Sequence, residues 1–323
     1  MFTGAQNIAQ YQAGLPQGVR HFLDINHFSK QELEILVDAS INLQKTRQNC
    51  QYSAAFSGKT LVMIFEKLSL RTRLSFEIGF QEMGGKVVFL TKNDIHLGEK
   101  ETVQDTAKVI SSMAHIALIR CYSHEGTLLE FAKNSSISLI NGLTDYSHPC
   151  QIIAALACFK KHFGEGYLAK NFVWVGAFNN VLLSYIQAAQ ILGFNLHISC
   201  PAGFGLSSNL AKQVEGCKNI KMFKTASEAA KNGDIIITDT WVSMGDKFKL
   251  EDIQKSFSSY QVNKKLMSLA NEGVVFSHCL PAIRGQEVTA DIIDGPSSLV
   301  LSEAEFRLHS QKAIMLYISN LLK

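Results

Sequence analysis

The sequence predicts an α/β protein built from two doubly wound domains, each around a parallel sheet, and three observations carry that prediction. Short apolar runs rich in Val, Ile and Phe recur between longer helical patterns, the mark of parallel strands buried on both faces and joined by helical crossovers. The chain has 323 residues, and at roughly 150 residues per domain that length accommodates two. The runs also fall into two sets, separated by one amphipathic segment.

The first set predicts strands over Thr60–Phe65, Lys86–Leu90, His115–Ile119 and Ser136–Ile140. The second predicts at least four more, over Phe172–Gly176, Asn195–Cys200, Asp234–Thr238 and Gly273–Ser277. Between them His148–His162, followed by Gly164 and Gly166, reads as a connecting helix. The boundary is therefore placed there, giving a first domain over 1–148 and a second over 149–302. Ala304, Leu308, Ala313, Leu316, Ile318 and Leu321 recur at helical spacing and predict a terminal helix over Glu303–Leu322.

Composition narrows the class. With 46% hydrophobic and 9% aromatic residues, 22 Gly and only 5 Pro, the chain is globular, which excludes collagen-like, mucin-like and long disordered forms. Lys plus Arg number 31 against 28 Asp plus Glu, a net charge of +3. Without a Lys/Arg run, that surplus does not predict binding to nucleic acid or to an acidic membrane. Seven Cys form no C-x-x-C pair, so they read as reduced thiols of a cytoplasmic protein. Met1–Arg20 lacks an apolar core and carries a single Arg, which fits neither a signal nor a transit peptide, and no stretch reaches the roughly 18 apolar residues a membrane span needs.

In open parallel sheets ligands bind beyond the carboxyl ends of strands, where loops lead into helix N-termini. After Phe65 comes Glu66-Lys67-Leu68-Ser69-Leu70-Arg71-Thr72-Arg73 and then a helical pattern. Ser69 is placed as an N-cap, and the helix start offers unpaired N–H groups beside hydroxyls and guanidinium groups, the makings of a phosphate cradle. A capped helix with a solvated basic face fits the same spacing, and Arg73 is the one expected to pair with an acid. Arg120 ends the third strand. After the fourth, Pro149 suits the first helical position, so His148 and Gln151 flank a helix start at the same sheet edge. In the second half Trp174-Val175-Gly176-Ala177-Phe178-Asn179-Asn180, Thr238-Asp239-Thr240-Trp241-Val242-Ser243-Met244-Gly245 and Ser277-His278-Cys279-Leu280-Pro281 each follow a strand. These polar loops predict one cleft. Taken singly, Asn179-Asn180 could be a turn, Asp239 a cap and Cys279 a buried hydrophobe.

In order and spacing, Ser69-Leu70-Arg71-Thr72-Arg73, His148-Pro149-Cys150-Gln151, Asp239-Thr240-Trp241-Val242-Ser243-Met244-Gly245 and His278-Cys279-Leu280-Pro281 resemble the signatures of the aspartate/ornithine carbamoyltransferases, in the ornithine branch. The resemblance runs from about His21 to the C-terminus. It implies a carbamoyl phosphate domain and an ornithine domain with the active site in the cleft between them, yielding L-citrulline and phosphate, a place in arginine biosynthesis, and a homotrimer or multiple of trimers. By it Ser69, Leu70 through its backbone N–H, Arg71 and Thr72 hold the phosphate, and Arg120, His148 and Gln151 reach the carbamoyl group. Asn180, Asp239, Ser243 and Met244 hold the amino-acid end of ornithine. Cys279 and the backbone of Leu280 lie near the reacting amine. Arg307 is returned to the first domain by the terminal helix, residues 303–323, and His96 enters a neighbouring subunit's site. Arg120, His148, Asp239 and Cys279 are the catalytic candidates, with no metal or cofactor needed. A neutral amine attacks the carbamoyl carbon while cationic and donor groups meet the growing charge, and either a Cys279 thiolate or Asp239 favours loss of the amine's proton.

Five positions depart from the family's pattern. Ala177-Phe178 stands where Asp-Gly is common, Leu70 where Thr is usual, Ala155 where Asp is usual, and Phe306 where Asn precedes the last Arg. These leave room for a related amine, such as an N-acylornithine or putrescine, and for a binding or regulatory homologue without activity. Most of the six Cys other than Cys279 are expected to be buried.

Overall fold

The computed structural model describes residues 15–322 apart from 17, 52, 96–99 and 242–249. The chain divides into two units. One ends at Ala157 and is rejoined from Glu305 onward, and the other is Cys158–Ala304.

In the first unit β1 (Thr60–Phe65), β2 (Lys86–Thr91), β3 (Ile116–Arg120) and β4 (Ser138–Leu143) form a parallel sheet in the order β2-β1-β3-β4. Leu61 to Phe65 are all buried, so successive side chains, which point to opposite faces, are both out of water. Ile64, Ala117, Ile119, Phe131 and Leu139 share one core cluster, and full burial of each Ile, Leu or Phe is worth about 1.5–3 kcal/mol. β2 at the sheet edge has only exposed and half-buried residues.

β4 lies further along the chain than its apolar run suggests, because it takes in Asn141 and Gly142. A Cβ at Gly142 would meet the Ile119 carbonyl at 3.1 Å and the Arg120 Cβ at 3.3 Å. The ladder changes register between Ile119 and Arg120 at this point. Asn141 compensates for its burial by donating its amide to the Leu23 carbonyl at 2.8 Å.

In the second unit β5 (Asn171–Val175), β6 (Asn195–Ser199), β7 (Ile220–Met222), β8 (Ile235–Thr238) and β9 (Val275–His278) form a parallel sheet in the order β7-β6-β5-β8-β9. Val173, Val175, Ile236, Phe276 and Val288 belong to its core. The strand β7 was not expected from sequence. Its three residues include one buried side chain, too short a pattern for periodicity to register.

Both sheets reverse direction of growth once. The first does so between β1 and β3, the second between β5 and β8. Crevices at such switch points are where α/β sheets bind ligands.

Two helices carry the chain between the units, Pro149–Phe163 and Val300–Ile318. The first begins at the predicted Pro. The second starts ahead of Glu303 and stops at Ile318, with Asn320 just beyond it in a left-handed conformation. Its close approach to the Leu70–Glu82 helix depends on Gly79, where a Cβ would stand 3.2 Å from the Lys312 Cγ and 3.4 Å from the Leu308 Cδ1. Among the described residues no helix is long and apolar enough to cross a membrane.

Candidate active site

At the first switch point the Leu70–Glu82 helix opens on Ser69, whose hydroxyl accepts from the Thr72 N–H at 3.3 Å. Such a cap is typically worth about 1 kcal/mol. Leu70 is the first helical residue and points to solvent, Arg71 is half-buried and Thr72 buried. Arg120, ending β3, donates to Thr72 Oγ1 at 3.4 Å. The same oxygen accepts from Arg307 Nη2 at 3.0 Å, while Arg307 Nη1 donates to Gln151 Oε1 at 2.6 Å. A hydroxyl has two lone pairs and one proton. Thr72 can therefore accept from both guanidinium groups and keep its proton for an anion.

His148 is buried in this cluster. Burial holds its pKa well below the usual imidazole range, and the positive charges of Arg307, Arg120 and Arg71 push it the same way. The expectation of cationic and donor groups thus divides: the three Arg are the cations, and His148 is a neutral imidazole. Its loop is braced from within, because Thr144 and Ser147 bond each other's backbones and Asn141 donates to Ser147 Oγ at 3.1 Å. Arg73 does not join the cluster. It is exposed, pairs with Glu77 at 3.4 Å and stacks over Phe89.

Sequence reasoning passed over Glu66 and Lys67. The Glu66 N–H donates to the Arg120 carbonyl at 2.9 Å and its carboxylate accepts from the Tyr122 N–H at 2.9 Å, while Lys67 pairs with Asp145 and covers the Tyr122 ring. These contacts tie the loop after β1 to the end of β3. Opposite charges directly after a buried strand were the available signal.

At the second switch point Asp239 follows β8. Its Oδ1 accepts from the Thr240 N–H at 2.8 Å and from the Cys279 thiol at 3.2 Å, and its Oδ2 accepts from Asn179 Nδ2 at 2.7 Å. Asn180 begins the Asn180–Leu192 helix beside them, half-buried. Cys279 and Leu280 follow β9 and are half-buried. Leu280 has a left-handed φ of 57°, and its N–H donates to His278 Nδ1 at 2.9 Å. His278 is itself buried, with Nε2 3.4 Å from the fully buried Glu287 carboxylate. The backbone group of Leu280 suited to an amine is accordingly its carbonyl. Glu287 carried no signal in the sequence, since an acid nine positions beyond its histidine belongs to no local pattern.

Asp239, His278 and Cys279 place one donor atom each within 4.8 Å of one another. The thiol is given to Asp239, and both imidazole nitrogens face other groups. His96, Ser243 and Met244 lie outside the described residues.

Of the departures, Phe306 is buried and packs against His309. Phe178 is half-buried, with its N–H on the Phe204 carbonyl at 2.8 Å. The thiols correct one expectation. Cys121, Cys150 and Cys158 are buried, but Cys50 is exposed and Cys200 and Cys217 are half-buried, so half of the six are accessible to some degree.

Two family models match the chain. Residues 20–161 match the carbamoyl-P binding domain of aspartate/ornithine carbamoyltransferase, and residues 169–318 match its Asp/Orn binding domain. The ornithine carbamoyltransferase of Psychrobacter cryohalolentis is 44% identical over 300 residues, covering 93% of this chain and 97% of that protein. That of Nitrosomonas europaea is 41% identical over 300 residues, covering 93% and 97%. Among solved structures, the ornithine carbamoyltransferase of Burkholderia thailandensis superposes with a TM-score of 0.85 at 40% identity, covering 93% of this chain and 98% of that one. The enzyme of Pyrococcus furiosus gives 0.86 at 35% identity, covering 92% and 96%. With both halves matched and relatives of this identity spanning nearly its whole length, the chain belongs to the aspartate/ornithine carbamoyltransferase family.

Proposed function

We propose that this chain transfers the carbamoyl group of carbamoyl phosphate to the δ-amine of L-ornithine, releasing L-citrulline and phosphate. The observation that carries the reading is the cluster of Arg71, Arg120 and Arg307 around a neutral, buried His148, with Thr72 accepting from two of the guanidinium groups. Fixed cations and hydrogen-bond donors suit a substrate that leaves as phosphate and a carbonyl oxygen that gains negative charge during attack. Ser69, the Leu70 N–H, Arg71 and Thr72 take the phosphate. Arg120, His148, Gln151 and Arg307 take the carbamoyl group. Because it is neutral, His148 meets the carbamoyl oxygen through a ring N–H, without adding a fourth positive charge.

In the other unit Asn180, Asp239, Ser243 and Met244 hold ornithine, and Cys279 with the Leu280 carbonyl faces its amine. Asp239 and Cys279 share a hydrogen bond, so they act on the amine as one proton-accepting unit, the thiol orienting the carboxylate that receives the proton. None of these steps calls for a metal or redox cofactor. A carboxylate at Asp239 matches an ammonium group, which favours ornithine over N-acylornithine, and Asp239 together with Ser243-Met244-Gly245 suits a free α-amino acid, which favours it over putrescine. Citrulline formation from carbamoyl phosphate and ornithine, run beside putrescine and N-acetylornithine, tests the reading. Product from ornithine at the highest kcat/KM is expected, and product from either rival alone would overturn it.

The assembly we propose is a homotrimer, or a multiple of trimers, with His96 acting in a neighbour's site. Leu68, Leu70, Leu74 and Ile78 are all exposed, and the last three recur every fourth residue on one face of the helix that carries Arg71 and Thr72. An apolar stripe of that kind favours a protein partner over water. Mixing His96→Ala with Arg71→Ala chains should restore activity once subunits exchange. A monomeric mass in solution would refute the assembly. The seven cysteines, none of them in a disulfide, support a reducing, cytoplasmic setting.

A further inference from the structure

Asn179 stands one residue before the Asn180–Leu192 helix and does two things with one side chain. Its Oδ1 accepts from the N–H groups of Val181 and Leu182, both at 3.0 Å, and its Nδ2 donates to Asp239 Oδ2 at 2.7 Å. The amide cannot be turned over. Turned, its NH2 would face two N–H donors and its oxygen a carboxylate, three favourable contacts exchanged for three repulsive ones. The helix therefore locks the amide, and the amide locks one oxygen of Asp239.

The other oxygen is held by Thr240 and Cys279. Asp239 is thus fixed from its own loop after β8, from the loop after β9 and from the cap of the helix after β5. The Asn179 bond is the one that crosses the switch point, where β5 and β8 run side by side with Trp174 opposite Ile237. The loop bearing Asn179 is fixed in turn, because Trp174 Nε1 donates to the Ala177 carbonyl at 3.1 Å and Phe178 is bonded to Phe204.

Residue preference separates the two roles. Asn, Asp and Ser cap helices about equally well, so capping alone does not require Asn. A donor aimed at a carboxylate does, since Asp presents another carboxylate and Ser is too short. We propose that Asn179 is a positioning residue for carbamoyl transfer: it fixes the rotation of the Asp239 carboxylate and thereby the direction in which Asp239 meets ornithine. The proposal rests on the reading of Asp239 as an ornithine ligand.

The test compares Asn179→Asp and Asn179→Ser with wild type and with Asp239→Asn. Asn179→Asp keeps the oxygen that caps the helix, removes the donor and sets a second carboxylate against Asp239. Its carbamoyl phosphate Kd should stay as in wild type, while kcat/KM for ornithine falls roughly 100-fold, the cost of a misaligned group, with most of the loss in the ornithine KM. Asn179→Ser, which removes the donor without adding charge, should show the same split, and it carries the test if the aspartate variant folds poorly. Wild-type kcat/KM in either folded variant would overturn the proposal and leave Asn179 a cap. Failure of the underlying reading looks different: Asp239→Asn would then turn over ornithine like wild type.

Discussion

The two candidate sites sit at equivalent places, one at the switch point of each sheet, and are built in opposite ways. The first is cationic and assembled from afar: Thr72 and Arg307 are 235 positions apart in the chain, and long guanidinium side chains do the reaching. The second is made of short side chains, Asn179, Asp239 and Cys279, each within a few residues of a strand end, joined by bonds of 2.7 and 3.2 Å. The difference follows from what each must do. Three like charges around one point repel, so they need fixed partners such as Thr72 and Gln151, and a buried neutral group in the middle. A single carboxylate is held in direction by neutral donors alone. The cradle should consequently be limited by charge and the amine site by geometry.

That contrast can be broken most forcefully at Arg71. Arg71→Ala should weaken carbamoyl phosphate binding about 100-fold, the scale of a lost charge-assisted contact, with thermal unfolding unaltered. Calorimetric titration checks it, and a Kd within a few-fold of wild type would remove Arg71 from the cradle.

A smaller effect is expected on the other side. Cys279→Ala should lower kcat about ten-fold and leave carbamoyl phosphate binding unchanged, because the thiol orients Asp239 without touching the phosphate. Labelling sharpens the point. In wild type a small thiol reagent should modify the exposed Cys50 as well as Cys279, while burial pushes the Cys150 and Cys200 thiols up to about 12 and keeps them slow. In a Cys50→Ser background one equivalent should inactivate, with protection by carbamoyl phosphate plus norvaline. Peptide mapping that places the inactivating label elsewhere would make Cys279 a packing residue.

The smallest effect is on stability. His21 lies in the unit of the cradle, and burial, helped by His27, lowers its pKa from 6.5 to about 4. A histidine whose native pKa is depressed contributes stability that is complete above the unfolded pKa and is lost as pH falls toward the native one. Between pH 7.5 and 5.5 that loss is about 1 kcal/mol from His21. Urea unfolding across this range should show it, and His21→Asn, which keeps an acceptor for the Leu139 N–H, should flatten the slope. An equal slope in the variant would assign the effect to other groups.

Local pattern was enough for the first strand and most of the others, because a strand buried on both faces needs only a short apolar run between polar loops. It was also enough for the Ser69 cap and the Pro149 helix start, whose physics lies within four residues. It failed at β7, which has too few residues to show a period, and at the end of β4, where a polar Asn and a Gly enter a strand because of contacts with Leu23 and Arg120.

The sequence by itself determined the parallel α/β class and the residue types that a carbamoyl transfer needs, since strand periodicity and side-chain chemistry are properties of short segments. Tertiary structure alone decided which of those side chains act together. Arg307 joins Thr72 because Gly79 admits the terminal helix, Arg73 turns away to Glu77, and His148 is neutral because burial and three guanidinium groups leave it no room for charge. Asn179 looked like a turn residue until Asp239 came to lie beside it. Hydrogen bonds act over about 3 Å and charges at ordinary ionic strength over roughly 10 Å, so their effect is set by distances in the fold, which spacing along a chain does not encode.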